Sequence, residues 1–170
     1  LKPLPHQGAC GSCPTSACRI GVAENSANGT VVGVTALASD ADATNNTITY
    51  SLDDNAGGRF TIDSSTGVVT VADGTLLDRE AAASHDITVR ATSSDGSSNT
   101  AVMTINLNDV DEFDIGAVSD SNATANSVDE NAANGTVVGV TALASDADAT
   151  NNTIAYTLDD DASGRFAIDG

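Results

Sequence analysis

Residues Val22 to Asp63 are written again as Val128 to Asp169, with 35 of 42 positions identical at a constant offset of 106. A period that long exceeds any solenoid unit and matches a whole small domain, so the chain is constrained to fold as one domain followed by the opening part of another like it. Near-identical neighbours point to a tandem array in which the unit spaces or bears load, rather than to a unique catalytic pocket. Everything after Asp63 lacks a counterpart in the second copy, which stops at Gly170, and the chain opens on Leu1 with neither Met nor an apolar signal core. An excerpt of a longer protein is therefore expected. The division expected is a non-repeat leader without structure over 1–20, a first repeat over 21–113 and a partial second repeat over 114–170.

Period-two alternation recurs through the first repeat. Ile48, Tyr50 and Leu52 alternate with Thr47, Thr49 and Ser51; Ile87, Val89 and Ala91 with Asp86, Thr88 and Arg90; Met103, Ile105 and Leu107 with Val102, Thr104 and Asn106. These read as half-buried strands. With segments near 19–22, 30–38, 59–63 and 68–72, about seven strands are predicted, separated by Gly, Asn and Asp turn signals such as Asn28-Gly29, Thr66-Gly67, Asp73-Gly74 and Asp95-Gly96. No segment carries a helical period. The predicted fold is all-β: a tandem seven-stranded Greek-key β-sandwich, incomplete in the second copy, where only the first three or four strands are expected.

Twenty-four acidic residues against six basic ones give a net charge of -18. This opposes nucleic acid and anionic membrane surfaces as partners and favours cations. Disorder is not implied, because 40% of the residues are apolar. Aromatics are scarce and Trp is absent, so the core is light and metal would contribute more than usual to its stability. Cysteine is confined to Cys10, Cys13 and Cys18 in the leader, and residues 21–170 are cysteine-free, which fits a protein secreted unfolded or one living outside the cell without disulfides, while the three leader cysteines leave the redox compartment open.

The acidic residues cluster at strand ends: Glu24 with Asn25; Asp40, Asp42 and Asn45; Asp78 with Glu80; Asp109, Asp111 and Glu112; Asp146, Asp148 and Asn151. Calcium takes six to eight oxygen ligands from carboxylates, amides and carbonyls, and short Asp-x-Asp loops supply them. Taken alone, any Asp-Ala-Asp is more often a solvated turn, since its side chain bonds nearby backbone N–H groups. Recurrence of all the clusters at matching places in one repeat reverses that reading.

With the ordered set Ala23-Glu24-Asn25, the Ser39–Asn46 stretch SDADATNN, Tyr50-Ser51-Leu52, Phe60–Asp63, Thr66-Gly67, Leu77-Asp78-Arg79-Glu80 and Asp109-Val110-Asp111-Glu112, the chain resembles the cadherin repeat, particularly as found in large bacterial surface adhesins. The resemblance covers Val22 to about Phe113 and then Val128 onward. It implies a cadherin/immunoglobulin-like sandwich with calcium between successive repeats as its cofactor. Glu24, Asp78, Glu80, Asp109, Asp111 and Glu112 would then meet Asp146, Asp148 and Asn151 of the next repeat on inter-repeat calcium. Asp40, Asp42 and Asn45 would serve a preceding linker more weakly, and Glu130 a following one. Two places depart from the family pattern. Asp111, Glu112 and Phe113 stand where the family linker has Asn-Asp-Asn, and Ser93 stands where the family has Asp.

The implied function is a calcium-dependent extracellular module of a cell-surface or secreted adhesin, a rigid spacer whose partners are calcium, neighbouring repeats, like adhesins or surface polysaccharide, with no nucleic acid. No enzyme is expected. His85 lacks a Ser or Cys partner and reads as a loop residue before a strand, and the acidic pairs lack the apolar cleft that a glycosidase acid requires. The three cysteines with His6 do not complete a zinc signature. A carbohydrate-binding module is the alternative, weakened because Tyr50, Tyr156, Phe60, Phe113 and Phe166 mostly sit at core-phase positions and leave no stacking platform.

Overall fold

The computed structural model describes residues 20–42 and 44–169, so the expectations for Cys10, Cys13, Cys18 and His6 fall outside it. Two units meet between Val110 and Asp111. In the first, all seven anticipated strands form: β1 (Gly21–Ala23), β2 (Val31–Thr35), β3 (Ile48–Asp54), β4 (Phe60–Ile62), β5 (Val68–Val71), β6 (Ser84–Ser93) and β7 (Ser98–Asn108). They make a four-stranded sheet in the order β1-β7-β6-β3 and a three-stranded sheet in the order β2-β5-β4. Only β4–β5 and β6–β7 are hairpins, and every other connection crosses from one sheet to the other. This is a β-sandwich.

The period-two pattern predicts burial correctly. Ile87, Val89 and Ala91 on β6 and Ile105 and Leu107 on β7 are buried, while Thr104 and Asn106, which alternate with the last two, face outward. Val32, Val34, Phe60, Val69 and Val71 close the core from the second sheet. Tyr50 puts its ring into that core while its hydroxyl accepts a bond from the Ala38 N–H at 3.1 Å, pinning the loop that leads to Asp40 and Asp42.

Turn chemistry fixes the β4–β5 hairpin. The Asp63 Oδ1 accepts the N–H groups of Ser65 and Thr66 and both of their hydroxyls, at 2.7–3.0 Å. These bonds hold its carboxyl well below the usual carboxylate range. Gly67 ends the turn at φ 72°, where a Cβ would sit 2.5 Å from the Ala36 carbonyl oxygen, so no other residue fits.

A 3-10 turn over Gly74–Leu76 follows, with Asp73 as its cap. It delivers Leu77, fully buried, into the core. Gly74 allows the close approach to Ser26 that this requires, since a Cβ there would overlap the Ser26 carbonyl oxygen.

The second unit departs from expectation. Residues 154–158, identical to β3 at three of five positions, form no strand, nor does the counterpart of β4. The strands present are β8 (Ser119–Asp120) and β9 (Ala142–Leu143), paired antiparallel. The cause lies in the ladders of the first unit: β1 pairs with β7, β2 and β4 with β5, and β3 with β6. None of the four strands duplicated in residues 128–169 pairs with another of the four. Residues 128–169 contain no partner strand for this set, and its apolar side chains lie in solvent here. Phe60 is 1% exposed and Phe166 45%; Val34 is 3% exposed and Val140 51%.

His85 also differs from expectation. It is the second residue of β6, in phase with Ile87, and its ring packs tilted against Phe60 with centroids 6.3 Å apart. Its Nε2 is buried with no hydrogen-bond partner among the described residues. Burial, with the Arg59 charge second, lowers its pKa. Because the folded value lies below the unfolded one of about 6.5, the stability from neutral His85 is fully present above that pH and is lost as pH falls through the folded value. The unfolding midpoint should therefore drop between pH 7 and 5 more steeply in the parent than in His85→Gln, as followed by denaturant titration. In the same assay Ile87→Ala should cost about 2–5 kcal/mol, whereas Val102→Ala, outward-facing on the neighbouring strand, should cost about 0.5 kcal/mol or less.

Candidate metal centre

Glu24 follows β1 and is 2% exposed. Its Oε1 accepts the Val110 N–H at 2.8 Å and its Oε2 the Arg79 N–H at 2.5 Å. One buried carboxylate thereby ties the start of the unit both to its last residue and to the Leu77–Glu80 segment. The Asn25 N–H donates to the Leu77 carbonyl at 3.2 Å and strengthens the same junction. Each Glu24 oxygen keeps a second lone pair for a further donor or a cation. Glu24 and Glu80 present carboxylate oxygens within 4.8 Å of one another. Asp78 is exposed and caps its own turn, accepting the Ala81 N–H at 2.7 Å, and Asp109 is half-buried just after β7.

In the second unit Asp111, Asp146 and Asp148 come together. Asp148 is 2% exposed; its Oδ1 accepts long bonds from the N–H groups of Glu112 and Phe113, both at 3.4 Å. Its buried Oδ2 has no hydrogen-bond partner among the described residues. Asp148 beside it, first through hydrogen bonding and then through its charge, followed by burial and the charges of Asp146 and Asp114, pushes the Asp111 carboxyl above its ordinary range. No Lys or Arg among the described residues pairs with Asp111 or Asp148. Asp146 accepts the Asp148 N–H at 3.2 Å, and the Asn152 amide donates to the Asp148 carbonyl at 2.9 Å, shaping the loop. Asn151 is exposed on that loop.

A third group assembles in the first unit, where Asp40, Asp42 and Asp95 present carboxylate oxygens within 4.8 Å of one another. Asp95 did not emerge from sequence as a partner of this group. The β3–β6 ladder brings it there by setting Ile48 opposite Ser93, and no local signal encodes that pairing. Ser93 is buried at the end of β6, and its hydroxyl bonds both the Asp40 carboxylate and the Asn45 carbonyl. Asn45 itself is exposed, with φ 57°. The Ser97 hydroxyl, then the Ser97 N–H, hold Asp95 below the usual carboxylate range, so it stays ionised well into acid.

Every donor in these loops is an oxygen, which suits a hard divalent cation rather than a thiolate- or imidazole-seeking one. A buried carboxylate oxygen without a donor, crowded by a second carboxyl, is unfavourable unless a cation supplies the missing charge. Asp148 and Asp111 meet that condition, and the residues present fit calcium.

Residues 19–108 match the family profile of the cadherin domain. Over 138 residues the chain is 38% identical to human Protocadherin Fat 4, covering 79% of this chain and 3% of that protein. Over 101 residues it is 38% identical to human Cadherin-related family member 2, covering 58% of this chain and 8% of that protein. It therefore spans only a small part of the length of these relatives. Among solved structures, mouse Cadherin-23 EC22-24 superimposes with a TM-score of 0.66 at 30% identity, covering 90% of this chain and 49% of that one. No helix among the described residues is long and apolar enough to cross a membrane. With a two-sheet sandwich built as the sequence pattern predicts, and a family match over more than half of the residues, the chain belongs to the cadherin family.

Proposed function

We propose that this chain is a calcium-dependent extracellular repeat module of a cell-surface or secreted adhesin, of the kind that recurs in large bacterial surface proteins, acting as a rigid spacer and in homophilic or surface adhesion. Glu24, Asp78, Glu80 and Asp109 of the first repeat and Asp111, Glu112, Asp146, Asp148 and Asn151 beyond it are the calcium ligands that join successive repeats. Asp40, Asp42 and Asn45, with Asp95 added by the fold, hold a further ion. The observation that carries this reading is Asp148, a buried side chain with an oxygen that has no hydrogen-bond partner among the described residues, beside Asp111.

The mechanism is electrostatic. Several ionised carboxylates drawn to one junction repel by about 1 kcal/mol per close pair in a water-like environment. Calcium converts that repulsion into attraction and locks residues that would otherwise hinge. Extracellular modules bind at about 0.1–1 mM, and free calcium at a hundredfold excess over the dissociation constant stabilises by about 2.7 kcal/mol. For a core with so few aromatics this is a large share of the total.

Differential thermal melting with calcium against chelator should show a rise in midpoint with calcium, and no rise would overturn the reading. Asp78→Ala, Glu80→Ala and Asp148→Asn should each remove most of that rise. Asp54→Ala should leave it intact, since Asp54 caps only its own hairpin turn by accepting the Ala56 N–H at 2.8 Å. Equal effects at Asp54 and Asp78 would show the ligand assignment to be wrong.

A further inference from the structure

Five Asn-x-Thr triplets, none with Pro in the middle, begin at Asn28, Asn45, Asn122, Asn134 and Asn151. This is the acceptor pattern for N-linked glycans, since a carboxamide nitrogen is a poor nucleophile and needs help from groups placed near it. Asn28 and Asn45 return as Asn134 and Asn151 through the duplication, whereas Asn122 precedes the second copy and has no duplicate. Among the described residues it is at Asn122 that the side chain and the hydroxyl two residues on meet. The Thr124 hydroxyl donates to the Asn122 Oδ1 at 2.5 Å, and the Thr124 N–H donates to the same oxygen at 3.0 Å. We propose that Asn122 is the acceptor of an N-linked glycan, taken from a lipid-pyrophosphate-linked oligosaccharide.

The triplet is rooted in backbone pairing. Asp120, on β8, lies opposite Ala142 of β9, and the Ser121 N–H donates to the Thr141 carbonyl at 2.9 Å. The Asp120 Oδ1 accepts the Asn122 and Thr141 N–H groups, both at 2.9 Å. Those two donors, Thr141 first, and then the Asn126 amide hold the Asp120 carboxyl below the usual carboxylate range, so it remains an acceptor into acid. Asn122 is half-buried on this anchor, and Ala123 and Thr124 are exposed. Its carboxamide is planar, so Nδ2 lies on the side away from the donors that hold Oδ1. Two donors on Oδ1 stabilise the negative charge that builds there as Nδ2 loses a proton, which strengthens the nitrogen as a nucleophile. In the transfer the Nδ2–C1 bond to the sugar forms as the C1–O bond breaks. The electron pair of that bond leaves with the lipid pyrophosphate, and the proton from Nδ2 passes to solvent.

The other four triplets are arranged differently. At Asn28 the Oδ1 is committed to the Gly74 N–H at 2.9 Å, and the Thr30 hydroxyl turns back to the Ala27 carbonyl at 2.7 Å. The Thr136 hydroxyl makes the same backward bond, to the Ala133 carbonyl at 2.7 Å. After Asn45 and Asn151 the middle residue closes the loop instead, the Asn46 and Asn152 amides donating to the Asp42 and Asp148 carbonyls at 2.9 Å. The folded chain therefore offers Asn122 ahead of the rest. A glycan is bulky and hydrated, so its attachment marks the β8 turn as a surface that stays open to solvent.

The test incubates the folded full chain with a purified oligosaccharyltransferase and a lipid-pyrophosphate-linked oligosaccharide, and follows transfer by intact mass and peptide mapping. The first glycan should appear at Asn122, several-fold faster than at any other triplet. Asn122→Gln and Thr124→Ala should each remove that product, and Thr124→Ser, which restores the hydroxyl, should regain it. The urea-denatured chain should lose the preference and take glycan at the other triplets as readily. The proposal is overturned if the folded chain takes no glycan at Asn122, if the other triplets react as fast in the folded chain, or if Thr124→Ala reacts like the parent. Asn122 is not among the calcium ligands proposed above, and calcium-dependent melting does not report on it, so this inference and the proposed function fail independently.

Discussion

The four strands β1 to β4 make no ladder with one another; each depends on β5, β6 or β7 for its backbone hydrogen bonds. The β6–β7 hairpin, paired from Ser84 opposite Asn106 to Thr92 opposite Ser98, is the spine of the four-stranded sheet. The short β5 does the same for the other sheet, between β2 and β4. A strand without a partner leaves its N–H and C=O groups to water and its inward side chains exposed, so the scaffold decides whether the alternating pattern elsewhere becomes structure.

The acidic loops are held in place by the sandwich. Leu77 anchors the segment that carries Asp78 and Glu80, Glu24 clamps that segment to the end of the unit, and Tyr50 pins the approach to Asp40 and Asp42. Apolar burial fixes where each loop starts, and backbone N–H groups then orient the carboxylates. What the protein leaves uncompensated is charge, most clearly at Asp148 beside Asp111. In the proposed reading, negative charge concentrated at ordered loop positions, over a core with few aromatics, is what couples cation binding to stability.

Much of the fold was legible because period two is a direct consequence of strand geometry, and the seven strands appear where alternation and turn residues put them. The acidic clusters were legible as clusters, since Asp-x-Asp loops are local. Asp95 was not, because its meeting with Asp40 depends on a ladder between residues far apart in the chain. His85 was misplaced for a related reason. The run Ala81-Ala82-Ala83-Ser84 before it carries no strand signal, yet pairing of Ser84 with Asn106 extends β6 through it. The second copy gave the largest departure, since its pattern is intact and the counterparts of β1 to β4 do not form.

That duplication separates what the sequence alone determines from what tertiary structure decides. The tyrosine hydroxyl bond to a backbone N–H twelve residues earlier, the Asn amide closing the Asp-x-Asp loop and the Arg side chain capping its own turn occur in both copies. All of these join residues close in sequence, so they form wherever the residues stand. Phe60 and Phe166 stand at the same place in the repeated sequence, yet one is buried and the other lies open to solvent. Burial and strand pairing are non-local, and the segment has them only where β5 to β7 supply the other half of each ladder.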